Sequence, residues 1–121
     1  MLIPRLGNHY SYHDSLVVID QLRREFPKIV KVSSFGKSFE GRDIPLLTLE
    51  MGDKPTKDRP AILITGAHHS REAISIQMPF YIIFKFLHGV LHNDDFYINL
   101  LENTTLYIVP MFNVDGVFDI E

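Results

Sequence analysis

His69-Ser70-Arg71-Glu72 combines two residue types that can bind one metal ion, a neutral imidazole and a carboxylate three positions later. They can converge only if the backbone turns between them. Zinc takes nitrogen and oxygen ligands of this kind, and two His with one Glu leave a fourth position for water in a catalytic site. His69 and Glu72 thus read as half of a zinc site. If they share an ion, their ligating atoms should lie within about 4 Å of each other.

The spacing alone is common, and the chain holds a second instance. His92-Asn93-Asp94-Asp95 also places a carboxylate three residues after a His, but it is polar and follows a helical run, so it reads as a solvated helix exit. What distinguishes His69 and Glu72 is their setting. Ala61-Ile62-Leu63-Ile64-Thr65 is a continuous apolar run, as in a strand buried on both faces. Gly66-Ala67 then turns the chain, and a long apolar segment follows Glu72. The carboxyl end of a strand is where open α/β sheets bind their ligands.

Elements must position this segment. Ser11 with Asp14 predicts a capping box. Leu16, Ile19, Leu22, Arg23 and Phe26 follow at helical spacing, and Pro27 ends that helix. Residues 30–35 and 44–50 predict a hairpin around the Gly36–Gly41 turn region. Residues 53–59 read as a polar loop. Residues 73–91 predict a helix that is apolar on nearly every side, and so buried in a core. Gln77, Pro79 and Lys85 interrupt it, which argues against a membrane span. Pro79 is costly in a helix interior, so the regular helix should start near Ser75 or kink near Pro79. Residues 104–110 predict a further strand. Strand, helix and strand from Ala61 to Pro110 form a βαβ unit, and the fold class is α/β with a mixed sheet flanked by helices.

Composition narrows the function. At 121 residues with 45% hydrophobic content, the chain is one ordinary folded domain by length. A net charge of −3 and no basic stripe give no reason to expect a nucleic-acid partner. The absence of Cys excludes disulfides and thiolate chemistry. Met1-Leu2-Ile3-Pro4-Arg5 lacks the basic and apolar regions of a secretory signal.

The segment Pro60 to Ser75, PAILITGAHHSREAIS, resembles the zinc metallocarboxypeptidases of the pancreatic carboxypeptidase A/B type. That family has Pro, alternating apolar residues, Gly, then His-Ser/Ala-Arg-Glu. The doubled His68-His69 is similar to its bacterial, thermostable branch. Gly36 to Ile44, GKSFEGRDI, looks like the family's first hairpin. Asn113-Val114-Asp115-Gly116 looks like its Asn-Pro-Asp-Gly segment, with Val114 departing from Pro. Related acylases usually carry His-Gly-Asn-Glu, and the cytosolic deglutamylating branch has Pro-Gly between its ligands. Neither pattern is present.

The resemblance implies a fold, a cofactor and a substrate. The fold would be the family's eight-stranded mixed sheet, truncated, with residues 1–121 as the N-terminal half of the catalytic domain. The cofactor would be Zn²⁺, held by His69, Glu72 and a third ligand beyond Glu121. Arg71 would contact the carbonyl or carboxylate groups of a peptide or protein C-terminus. Ser70 would be a small turn residue, since a serine nucleophile needs a base and His69 is committed to metal. His68, pointing away from His69, would be a support or surface residue. The catalytic base, a Glu, would also lie beyond Glu121, so the chain alone should be inactive. Family relatives are mostly extracellular. The competing reading is a non-catalytic product whose sheet serves only packing or binding.

Overall fold

The computed structural model describes residues 11–68 and 74–119, and of 74–76 the backbone alone. Helix α1, Tyr12–Glu25, starts where the sequence sets it. The Ser11 hydroxyl accepts from the Asp14 backbone N–H at 3.0 Å, and the Asp14 carboxylate accepts from Ser11 N–H at 3.4 Å. Ser15, Ile19 and Leu22 form its buried face. Phe26 caps its end, one residue before Pro27.

Strands β1 (Val30–Lys37) and β2 (Asp43–Leu49) form the expected antiparallel hairpin. The register runs from Val30↔Leu49 to Ser34↔Pro45, then resumes at Gly36↔Ile44. Phe35 is therefore the extra residue of a bulge, set where Pro45 has no N–H to offer the ladder. A short 3₁₀ turn, Thr56–Asp58, lies in the loop that follows. Strand β3, Ala61–Thr65, pairs parallel with β4, Thr105–Val109, from Ala61↔Thr105 to Thr65↔Val109. β4 in turn pairs antiparallel with β2, and the sheet order is β1-β2-β4-β3. A mixed sheet with flanking helices is the fold class expected.

Between β3 and β4 lie α2 (Ile74–Leu91) and α3 (Asp95–Asn103). α2 runs through Pro79, which is buried at its sixth position. Its end is a helix stop of the Schellman type. Asn93 adopts φ 56°, Asn93 N–H donates to Val90 O at 3.1 Å, and Asp94 N–H donates to Gly89 O at 2.9 Å. Asp94 then caps α3 by accepting from Phe96 N–H at 3.1 Å. The expected solvated exit is present, but it is immediately the start of a second helix that the polar run concealed. α3 crosses α2 closely at Gly89, where an added Cβ would come within 2.1 Å of Tyr97 Cδ2. No helix among the described residues is long and apolar enough to cross a membrane.

The core gathers Leu22, Leu47, Leu49, Phe80, Ile83, Leu87, Leu101, Leu106, Ile108 and Met111. β4 is buried on both faces, since Thr105 and Val109 on one and Leu106 and Ile108 on the other are all shielded. β3 corrects an expectation. Its apolar run should mark a strand buried on both faces, yet Ile62 is 45% and Leu63 58% exposed. Consecutive residues face opposite sides, so each face of β3 is partly open, although Ile64 packs against the core. It hydrogen-bonds β4 on one side, and among the described residues nothing pairs with the other. Arg59, assigned by sequence to a polar loop, is buried as well. Its guanidinium donates to the carbonyls of Met51, Lys54 and Leu101 at 2.6, 2.9 and 2.7 Å, tying that loop to the end of α3.

Candidate active site

The two parallel strands end side by side, and their following loops stay joined. Gly66 N–H donates to Val109 O at 2.9 Å, Phe112 N–H to Gly66 O at 2.9 Å, and Asn113 N–H to Ala67 O at 3.0 Å. Ala67 sits at φ 54°, a left-handed conformation uncommon outside glycine. The turn after β3 thus leaves the sheet sharply, held by the loop after β4.

His68 follows that turn. Its Nε2 lies 2.7 Å from Thr65 Oγ1, and its ring stacks on Phe112 with centroids 4.7 Å apart. Phe35 approaches the same Phe112 ring at 6.0 Å. His68 is exposed and engaged on its own strand end, which agrees with a supporting or surface role. His69, Ser70, Arg71 and Glu72 come next and lie outside the described residues, as does their expected convergence on one ion. Among the described residues no three His, Cys, Asp or Glu side chains gather as a metal site.

A shallow cavity of about 370 Å³ opens beside this strand end, lined by Ser38, Phe39, Ile44, His68, Phe112, Asn113, Val114 and Asp115. Its two walls are the hairpin turn and the start of α4, Val114–Asp119. Asn113 to Gly116, which looks like the family's Asn-Pro-Asp-Gly segment, carries residue types that favour turns. The side chain of Asn113 does accept from Gly116 N–H at 3.1 Å, but it opens a helix rather than a reversal.

Asp115 clamps the walls together. Its Oδ1 accepts from Ser38 Oγ at 2.7 Å and Arg42 Nη1 at 2.8 Å, and its Oδ2 from Glu40 N–H at 3.1 Å. Burial pushes the Asp115 carboxyl up, but the hydrogen bonds from Ser38 and Arg42 outweigh it and hold the group below the usual carboxylate range. Arg42 is raised by its bond to Asp115 and then by Glu40. Its guanidinium also lies 3.8 Å over the Phe118 ring. Nothing local in the sequence signals this latch, because Arg42 and Asp115 are 73 positions apart.

The zinc carboxypeptidase family model matches residues 16–119. A zinc carboxypeptidase of Saccharothrix mutabilis subsp. capreolus is 31% identical over 109 residues, covering 90% of this chain and 25% of that protein. An inactive metallocarboxypeptidase of Saccharomyces cerevisiae is 32% identical over 114 residues, covering 90% of this chain and 26% of its own length. The crystal structure of thrombin-activatable fibrinolysis inhibitor superposes with a TM-score of 0.82 over 93% of this chain and 27% of that one, a likeness of fold at 22% identity. The chain therefore spans about a quarter of the length of these relatives. With the family model matching residues 16–119 and relatives above 30% identity along most of its length, the chain belongs to the zinc carboxypeptidase family.

Proposed function

We propose that residues 1–121 are the N-terminal half of a zinc carboxypeptidase catalytic domain. In the parent enzyme, which hydrolyses C-terminal peptide bonds, His69 and Glu72 are two of the zinc ligands. One observation carries this reading. The family match runs through His69-Ser70-Arg71-Glu72, and that segment directly follows the turn at the carboxyl ends of parallel β3 and β4. The donor set suits zinc, since an imidazole nitrogen and a carboxylate oxygen need no thiolate and the chain has no Cys. It is half a set, completed from the remainder of the parent protein together with the base Glu.

Zinc, when bound, supplies Lewis-acid polarisation of the scissile carbonyl and a lowered pKa for water. This chain's own residues bind and orient. The planar fork of Arg71 suits a substrate carboxylate or carbonyl. The Asp115 latch keeps the cavity wall in register with the strand end that leads to His69.

The test is zinc binding with an activity control. His69→Gln and Glu72→Gln should each weaken zinc binding by the 121-residue chain. The unmodified chain should release no amino acid from blocked dipeptides, because two ligands without a base do not catalyse. Zinc-induced shifts of amide signals at the β3 end that persist in the double variant would overturn the ligand assignment. The second reading, a non-catalytic protein, is favoured by the inactive yeast relative. Chelator-sensitive hydrolysis by the full-length parent separates the two.

A further inference from the structure

Helix α2 ends on two imidazoles. His88 and His92 are four positions apart, which places them on one face of the helix end. Both are exposed, and their rings stack with centroids 4.0 Å apart and planes 25° from parallel. Nδ1 of His92 lies 2.9 Å from the carbonyl oxygen of His88. A carbonyl oxygen only accepts, so Nδ1 carries the hydrogen, and Nε2 of the neutral ring keeps its lone pair. Metal-ligating His residues are commonly held in this way, by a hydrogen bond from the second ring nitrogen.

The backbone beneath the pair is fixed as well. The bonds from Asn93 and Asp94 back to Val90 and Gly89 close the helix, so His92 is a capped residue and not a frayed one. The carboxyl end of a helix carries partial negative charge, and the exposed Asp94 and Asp95 follow it. The end of α2 favours a cation, whereas the Asp94 carboxylate is engaged as the cap of α3.

We propose that His88 and His92 form a two-nitrogen binding site for a divalent transition-metal ion, with water in the remaining positions. Two metal–nitrogen bonds of about 2.0–2.1 Å at a tetrahedral angle set the nitrogens roughly 3.4 Å apart. The rings now stack face to face with their in-plane lone pairs side by side, so chelation requires the His88 ring to swing out of the stack while the bond to His88 O holds His92. No third His, Cys, Asp or Glu joins them among the described residues, so the ion is exchangeable. Imidazole selects zinc, copper or nickel over magnesium and calcium, and Cu²⁺ binds most tightly in that series. His88 is fourteen residues of helix beyond Ile74, about 20 Å along the axis. An ion bridging the last turn stabilises that end of α2.

The experiment titrates the 121-residue chain with Cu²⁺, reading affinity by calorimetry and location by paramagnetic broadening of backbone amide signals. Broadening should centre on residues 88–93. His88→Gln and His92→Gln should each weaken this binding on the order of tenfold or more, since even an outer partner of a ligand is worth that much. Far-UV circular dichroism checks that each variant keeps its helices, and Lys85→Gln, on the same face, should keep its affinity. The double variant His69→Gln/Glu72→Gln should lose any binding near the β3 end and keep the 88–93 site. Wild-type Cu²⁺ affinity in His88→Gln/His92→Gln, or broadening centred elsewhere in every background, would overturn the proposal.

Discussion

β3 and β4 are both five-residue apolar strands, hydrogen-bonded to each other in parallel register along their whole length, yet one is exposed and the other buried. Ile64 pairs with Ile108, and Leu63 with Tyr107. Ile108 is fully buried, while Leu63 is 58% exposed. Neither propensity nor pairing explains the contrast. β4 has β2 on its other side and core packed against both faces, whereas β3 has a free edge and only partly covered faces among the described residues. Helix α2 repeats the lesson on one element. Phe80, Ile83, Phe84 and Leu87 are buried, and Met78 and Tyr81 are 49% and 42% exposed. Burial follows from what packs alongside a residue and not from its type; the chain spans about a quarter of the length of the relatives it matches.

The largest expected effect tests the contrast directly. Ile108→Ala should destabilise the chain by about 2–5 kcal/mol, as for a fully buried aliphatic side chain, whereas Leu63→Ala should change stability by about 0.5 kcal/mol or less. Urea unfolding of both variants measures it. Equal losses would mean that β3 is covered after all.

A second effect sharpens what the open edge does. An unpaired strand with apolar faces is a template for association, and a Lys on such an edge blunts it. Sedimentation of the native chain should show concentration-dependent association that Leu63→Lys reduces, with folding free energy changed by about 0.5 kcal/mol or less. A native chain that sediments as a monomer at all concentrations would break the comparison.

The smallest effect concerns the closed side of the cavity. The folded pKa of Asp115 is depressed, so its contribution to stability is present above the ordinary carboxylate range and is lost as pH falls through the folded value. Asp115→Asn has no such titration. Its unfolding midpoint should lie below that of the native chain at pH 7, and the gap should narrow below about pH 3.9. A gap that stays constant with pH would show that the carboxylate charge does not hold the latch.

Much of the frame was legible from local chemistry. Ser11 and Asp14 announce α1, and Gly36 to Gly41 announce the hairpin, because caps and turns depend on residues a few positions apart. The two apolar runs at 61–65 and 105–109 mark parallel strands, because the segment between them is long enough for a crossover. α3 is hidden in the sequence because Asp94 and Asp95 suit the polar exit of α2 as well as the cap that Asp94 forms. α4 escaped because Asn113 to Gly116 has turn residues that serve equally to start a helix.

By itself the sequence determined the chemistry on offer: a His and a carboxylate after a strand-end turn, no thiol, and a specific resemblance carried by three segments in family order. Only the tertiary structure decided which apolar strand is covered, that Asp115 joins Ser38, Glu40 and Arg42 into one wall, and that Arg59 is buried among carbonyls. The reason is range. Hydrogen bonds of caps and turns are written within a few residues, whereas burial and long-range ion pairs depend on what the rest of the chain brings alongside.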